Sequence, residues 1–537
     1  MGIGGRYGAW AVAPLTAVLL VATGCTGTAD APTQAGGGAG GSGVSSSGVP
    51  SSPGVSDPSG VSDPSGAAGA RSAPARVCGR AAPGPSKAPA GAVTVDPAVV
   101  GDLAAKTENS PPNTTFWLRP GRHTLDPDPY AQVMAKKGNR YLGAPGAVLD
   151  GRRINQYAFS GTAPGVTISH LTVERFAAPH DEGVVNHDMA DGWVIEHATV
   201  QDNSGAGLMA GARQRVRASC LRNNGQYGMN AYKTGDSIRG LVVEGNEITG
   251  NNTDDWERRR PGCGCTGGVK FWAVNGADVR GNWVHRNRGT GLWADNNNND
   301  FRIEDNLLES NDGAALMYET SYNAVIRNNT IRRNNWVEGR AYAKDGDGFP
   351  YATVYVSEAG GEPRIPARTD RIEIEGNVLE DNWNGITLWE NADRFCNSPA
   401  NTSTGYCTRL VKDTGRCARP AIATEPLYGD CRWKTQRVDI HGNRFLLDPS
   451  VVGCATDCGR MAVFANEGTS PDWSPYKGGR VAEAVTHRQQ NRWHGNVYRG
   501  PWSFVAGDGS RTLDSRQWQG TPYRQDAGSS FGPRAGG

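Results

Sequence analysis

Six segments of this chain follow one pattern: two alternating apolar positions, then Gly, Asp or Asn, then Asn, then a further apolar residue. They read LVVEGNEI, ADVRGNWV, FRIEDNLL, AVIRNNTI, IEIEGNVL and VDIHGNRF. The shared asparagines are Asn246, Asn282, Asn306, Asn329, Asn377 and Asn443, and the copies at 282, 306 and 329 lie 24 and 23 residues apart. A period near 23 is too short for a domain, yet it holds two or three short strands. Each copy therefore predicts one coil of a solenoid of parallel strands, which buries its apolar face only by stacking on its neighbours. Longer gaps are a coil plus an insertion. The asparagines belong to turns, where stacked amides hydrogen-bond from coil to coil.

A second strand in each coil is more informative. Aligned on its leading residue it reads GVVNHD, GLMAGA, GMNAYK, GVKFWA, GLWADN, ALMYET, TVYVSE and GITLWE. The residues after the leader are Val184, Leu208, Met229, Val269, Leu292, Leu316, Val354 and Ile386, all apolar, so this column faces the core. Period-two alternation then turns two other columns outward. One holds Val185, Met209, Asn230, Lys270, Trp293, Met317, Tyr355 and Thr387, and the other His187, Gly211, Tyr232, Trp272, Asp295, Glu319, Ser357 and Trp389. With coils about 4.8 Å apart, a solvent-exposed strip is expected in which Tyr232, Trp272, Asp295 and Glu319 are consecutive, with Lys270 and Trp293 beside them. Insertions at 251–267, 336–352 and 391–436 adjoin this strand and are expected to wall it.

TTFWLRPGRHTL followed by YLGAPGAVLDG looks like the opening of a β-helix, and NRWHGNVYRGPWSF and QDAGSSF look like its closing segments. Over roughly residues 112–470 the chain resembles right-handed parallel β-helix proteins of the pectate-lyase-like superfamily. The expected fold is all-β, a right-handed parallel β-helix of roughly 22–24-residue coils over 90–480, with a closing segment and tail over 481–537.

Aromatic faces beside amides and carboxylates suit a sugar chain, whose C–H faces stack on rings while its hydroxyls meet polar groups. Trp272, Trp293, Tyr355, Trp389, Asn230 and His187 are the expected substrate-binding residues. Asp295 and Glu319, on neighbouring coils, repel unless one keeps a proton or a cation joins them. A bound Ca²⁺, which favours such oxygen ligands, makes the site similar to that of polysaccharide lyases, with Lys270 as the base that starts β-elimination and Tyr232 behind it. A kept proton makes Asp295 and Glu319 the acid and partner carboxylate of a glycoside hydrolase, with Glu358 or Glu390 as a more distant partner. The remaining alternative is a glycan-binding or structural β-helix without turnover, because fold alone does not imply function.

The formal net charge of +1 gives no electrostatic basis for nucleic-acid binding. The chain starts with a basic Arg6, an apolar run and VATGC. Small residues before a cysteine resemble a lipoprotein cleavage site, so 1–25 is expected to be a signal segment with Cys25 lipidated, which anchors the protein outside the cell membrane. Residues 26–89 are rich in Gly, Ser and Pro and repeat GVSDPS, as a flexible tether does. Ten further cysteines, among them Cys263 and Cys265, favour disulfides in an exported protein, and those from 396 to 431 are expected to staple an insertion. A monomer that meets a polysaccharide and the membrane through its anchor is the expected working form.

Overall fold

Alternation and period together build three parallel sheets. The computed structural model describes residues 74–80, 82–233, 238–259, 266–344, 349–400 and 407–534. The signal segment with Cys25, most of the tether, Cys263 and Cys265 lie outside the described residues. Each coil passes through a first, a second and a third sheet, and each sheet has 13 strands. The first runs from Val93–Val95 to Arg492–His494, the second from Gly121–Thr124 to Ser530–Gly532, the third from Val133–Met134 to Arg511–Leu513. Pairing is parallel throughout, except that Ser503–Gly507 meets Arg511–Leu513 antiparallel at one end of the third sheet. Coiling therefore continues past residue 480: Val497–Arg499 pairs with Arg444–Leu446, and Ser530–Gly532 with Val497–Arg499.

The repeated asparagines form a ladder. Asn246 Nδ2 donates to Asn282 Oδ1 at 3.0 Å, Asn282 to Asn306 at 2.9 Å, Asn306 to Asn329 at 2.9 Å and Asn329 to Asn377 at 2.9 Å. Asn377 continues to Asn443 at 3.0 Å, and Asn443 to Asn496 at 3.2 Å. The preceding residue has positive φ at every rung, as at Gly281 (62°), Asp305 (57°) and Asn328 (57°). That is why the pattern admits only Gly, Asp or Asn there. A second ladder, not visible in the pattern, runs through Asn224, Asn251, Asn287, Asn311 and Asn334 with steps of 2.9–3.0 Å.

Met229, Val269, Leu292, Leu316, Val354 and Ile386 point into the interior and are buried, as are Ala231, Phe271, Ala294, Tyr318, Val356 and Leu388 two residues on. The register holds across the third sheet: Asn230 faces Lys270, Lys270 faces Trp293, Met317 faces Tyr355 and Glu319 faces Ser357. It fails at the first coil. Val185 pairs with Leu208 rather than Met209, so His187 falls out of the Tyr232 column.

Four disulfides are present among the described residues: Cys78–Cys220, Cys396–Cys407, Cys417–Cys431 and Cys454–Cys458. The second and third staple the 391–436 insertion, as expected.

Candidate functional site

The outward columns of the third sheet are not open to solvent. Lys270 is 4% exposed, Trp272 2%, Trp293 6%, Asp295 0% and Glu319 1%. Asn230, Tyr355 and Trp389 are buried as well, and only Tyr232 stays half-buried. Two insertions account for the difference from the expected exposed strip. Helix Trp336–Lys344 and the segment after it lay Tyr342, Phe349 and Tyr351 on the sheet. Phe349 packs its ring 5.6 Å from Trp389 and 6.2 Å from Tyr355. These two aromatics therefore belong to a second apolar core rather than to an open binding face. The other insertion is pinned over the turn after Asp295: Trp433 Nε1 donates to Asn297 Oδ1 at 3.1 Å, and Asn297 Nδ2 to the Cys407 carbonyl at 2.9 Å.

Beneath this cover lies a chain of charges. Lys270 Nζ is 3.0 Å from Asp295 Oδ2 and stands over the Trp293 ring at 4.2 Å from its centroid. Trp293 Nε1 donates to Glu319 Oε2 at 3.1 Å. Arg394, from the insertion, reaches Glu319 Oε1 at 3.2 Å and Glu358 Oε2 at 3.0 Å. Further along, Arg432 pairs with Glu390, which also accepts from the Thr435 backbone N–H at 2.7 Å. Between Glu319 and Glu358 there is one guanidinium for two carboxyls. Burial pushes Glu319 up to about 8 and Glu358 up to about 7, because desolvation outweighs the opposing pull of Arg394. Both carboxyls therefore keep their protons to higher pH than a free glutamate does.

Hydrogen-bonding capacity along this strip is incompletely used. Lys270 Nζ and Asp295 Oδ2 are close but misaligned for a hydrogen bond, and neither has one among the described residues. Asn230 Oδ1, both side-chain polar atoms of Asn296 and Ser357 Oγ are buried without a partner too. Buried polar groups in folded proteins are nearly always satisfied, so such a concentration on adjoining coils marks a site.

Toward the earlier coils, three residues outside the expected set converge beside this strip. Asp181 Oδ2 is 2.7 Å from His180 Nδ1. Gln226 Oε1 accepts from the Asp181 backbone N–H at 2.8 Å, which fixes the amide so that its Nε2 donates to His180 Nε2 at 3.0 Å. These contacts turn His180 Nδ1 toward Asp181 and Nε2 toward Gln226. Burial raises the Asp181 carboxyl, but the His180 contact, Gln226 and the charge of Lys270 together hold it below its ordinary value. Trp256, from the 251–267 insertion, sets its ring edge against His180 at 4.3 Å. Tyr232 packs beside Trp272 at 5.7 Å.

Residues 182–402 match the family model described as a right handed beta helix region. This chain is a right-handed parallel β-helix protein. Among solved structures, the β-helix is similar to the A-module of the Azotobacter vinelandii mannuronan C-5 epimerase AlgE4, with 12% identity and a TM-score of 0.39 over 66% of this chain and 93% of that one. It is also similar to a mutant of the PL6-family alginate lyase AlyGC, with 11% identity and a TM-score of 0.43 over 82% of this chain and 54% of that one. A third likeness is to the Agl-KA catalytic domain, with 10% identity and a TM-score of 0.44 over 84% of this chain and 70% of that one. No curated protein sequence matches the chain. Likeness at these scores assigns no residue of the β-helix a role.

The structure thus brings together Lys270, Asp295, Glu319, Trp293, Trp272 and Asn230 from the expected set, with Tyr232 at their edge. His187 stands apart, half-buried on an earlier coil and stacked on Tyr157 at 3.7 Å. Arg394 escaped sequence reasoning because it lies in an irregular insertion, although a basic residue two positions before Cys396 was a usable signal. His180, Asp181 and Gln226 sit in turns between strands, where the period carries no information. Asp295 and Glu319 already have cationic partners in Lys270 and Arg394. With both carboxylates engaged in this way, the pair does not fit a Ca²⁺ cage.

Proposed function

We propose that this β-helix is an extracellular carbohydrate-active enzyme, a polysaccharide lyase that cleaves a uronate-containing glycan by β-elimination. The observation that carries this reading is the row of buried polar atoms without hydrogen bonds, Asn230 Oδ1, Lys270 Nζ, Asp295 Oδ2 and Ser357 Oγ, on three successive coils and the next but one. Polar atoms left without hydrogen bonds there are available to a ligand rather than spent on the fold.

Lys270 changes role in this account. The Asp295 carboxylate and the Trp293 face hold its Nζ in place, where it neutralises the substrate carboxylate and so acidifies the C–H beside it. His180, oriented by Asp181 and Gln226, takes that proton on Nε2 once the substrate displaces the Gln226 contact. The electron pair of the broken C–H bond forms the new C=C, the bond from the next carbon to the glycosidic oxygen breaks, and Tyr232 supplies a proton to the departing oxygen.

A hydrolase is favoured by one observation instead: burial pushes the Glu319 carboxyl up to about 8, as suits a general acid, on the coil next to Asp295. The two reactions separate in one experiment. The full chain is incubated with acidic and neutral polysaccharides, with calcium and with chelator, while ultraviolet absorbance of unsaturated uronides and reducing ends are both followed. Absorbance that disappears in His180→Asn and Tyr232→Phe supports the lyase, and its loss with chelator would bring Ca²⁺ back into the site. Reducing ends without absorbance, abolished in Glu319→Gln, replace the lyase with the hydrolase. Sugar binding without either product leaves a binding protein.

The extracellular placement rests on VATGC at 21–25 and on disulfides, which persist in oxidising compartments. Lipidation of Cys25 anchors the chain, so Cys25→Ser moves it from the membrane fraction to the medium. Equal membrane retention of the variant rejects the anchor.

A further inference from the structure

On the outer side of the 391–436 insertion is a hollow of about 460 Å³, bordered by the segment at 362–364, by 425–437 and by the C-terminal end of helix Arg480–His487 and the residues after it. Its lining carries five cationic side chains, Arg364, Arg432, Lys434, Arg437 and Arg488, and two carboxylates, Glu362 and Glu425. Four of the cations have partners. Arg364 is bound by Glu362 at 2.7 Å and Asp430 at 2.8 Å, Arg432 by Glu390, Arg437 by Asp370 and Arg488 by Glu483 at 3.2 Å.

Lys434 is different. It is only partly exposed, and it has neither an ion pair nor a side-chain hydrogen bond among the described residues. Glu425, in the same lining, accepts from the Gly429 backbone N–H at 3.0 Å. Burial, followed by repulsion from Arg432, pulls the Lys434 ammonium below its ordinary value. Glu362 and Glu425 attract this ammonium across the hollow without closing an ion pair on it, so the Nζ of Lys434 keeps its hydrogen-bonding capacity for a ligand. Arg432 and Gln489 add polar groups that are themselves buried, with Arg432 Nε lacking a hydrogen bond.

We propose that this hollow is an anion subsite centred on Lys434 that takes the carboxylate or sulfate substituent of an acidic glycan. It rests on the reading of the protein as acting on a charged polysaccharide and extends it: a second contact point lies outside the covered cleft, on the flank of the wall that closes it. Lys434 supplies a point charge that tolerates either oxyanion, and the Arg432 guanidinium directs planar N–H donors. A chain held there as well as at Lys270 is bound at two places, and the second event gains from effective concentration.

The test measures binding to the full chain by calorimetry at constant ionic strength, with inorganic sulfate and a short uronate oligosaccharide as separate probes and chloride as the reference salt. Saturable binding of either probe is expected, weakened about tenfold or more in Lys434→Ala, as for loss of a charge-assisted contact, and retained in Lys434→Arg. Preference for one probe identifies the substituent. Unaltered affinity in Lys434→Ala, or no binding of either probe beyond chloride, overturns the proposal. A thermal midpoint of the unliganded variant equal to the parent's shows that the fold is intact. Tyr232→Phe, which removes turnover under the lyase reading, leaves sulfate binding at the hollow untouched. Failure of the subsite and failure of the lyase are therefore separate results.

Discussion

Arg394, carried by an irregular insertion, places its guanidinium 3.2 Å from Glu319 on the sheet floor. The same nitrogen meets Glu358 of the next coil at 3.0 Å. One buried cation thus ties the wall to two rungs of the sheet.

Replacing Arg394 by Met strands two buried carboxyls. Breaking a buried charge pair on one side costs about 3–5 kcal/mol, because the surviving charge is left uncompensated. Urea unfolding is expected to show a loss of that size for Arg394→Met and a smaller one for Arg394→Lys. A midpoint within error of the parent's would mean that the insertion does not depend on this contact.

Stability should fall as pH rises from about 5 to about 8. The Glu319 carboxyl is raised from 4.5 to about 8, so the folded chain keeps a proton that the unfolded chain releases. Across that window the native state binds more protons, and stability is lost toward alkaline pH. Glu319→Gln stays neutral and flattens the profile of the unfolding midpoint. Parallel slopes in parent and variant would assign the dependence to another group.

Tyr232→Phe and His180→Asn alter half-buried groups at the edge of the strip rather than its interior. Each is expected to reduce turnover on a uronate polymer by about 10²–10⁴, the usual contribution of a positioned acid or base. The thermal midpoint should stay within a degree or so, about the size of a change below 0.5 kcal/mol. Loss of turnover in step with loss of fold would make these residues structural.

Within the ladder, Asn306 donates to Asn329 and to the Val279 carbonyl, and accepts from Asn282. Asn306→Ala removes these bonds and leaves buried partners unsatisfied, at about 2–3 kcal/mol. Asn306→Asp adds a buried charge without donors and should cost more. Equal midpoints for the two variants in denaturant would show that the rung is solvated.

Strand register was legible because side-chain alternation has period two, so one aligned apolar column fixes its neighbours: Asn230, Lys270 and Trp293 lie in line as expected. The slip at Val185 arises where a short strand offers too few apolar positions to choose between two alignments. Exposure was not legible. Tyr355 and Trp389 point away from the helix interior as alternation requires, but Phe349 covers them, and what an insertion packs against is a long-range property with no period to betray it. The acidic pair was found, while its proton depends on Arg394 and burial, neither of which the local sequence encodes.

The ladder separates two kinds of inheritance. Successive rungs are 24, 23, 48, 66 and 53 residues apart along the chain from Asn282 to Asn496, yet each amide reaches the next at 2.9–3.2 Å. Chain length between rungs is therefore free to vary while the frame stays constant. A wall such as 391–436 can be lengthened, shortened or exchanged as a cassette without moving Lys270 or Asp295 by a single step. The frame and the surface its walls offer are thus specified by separate stretches of sequence.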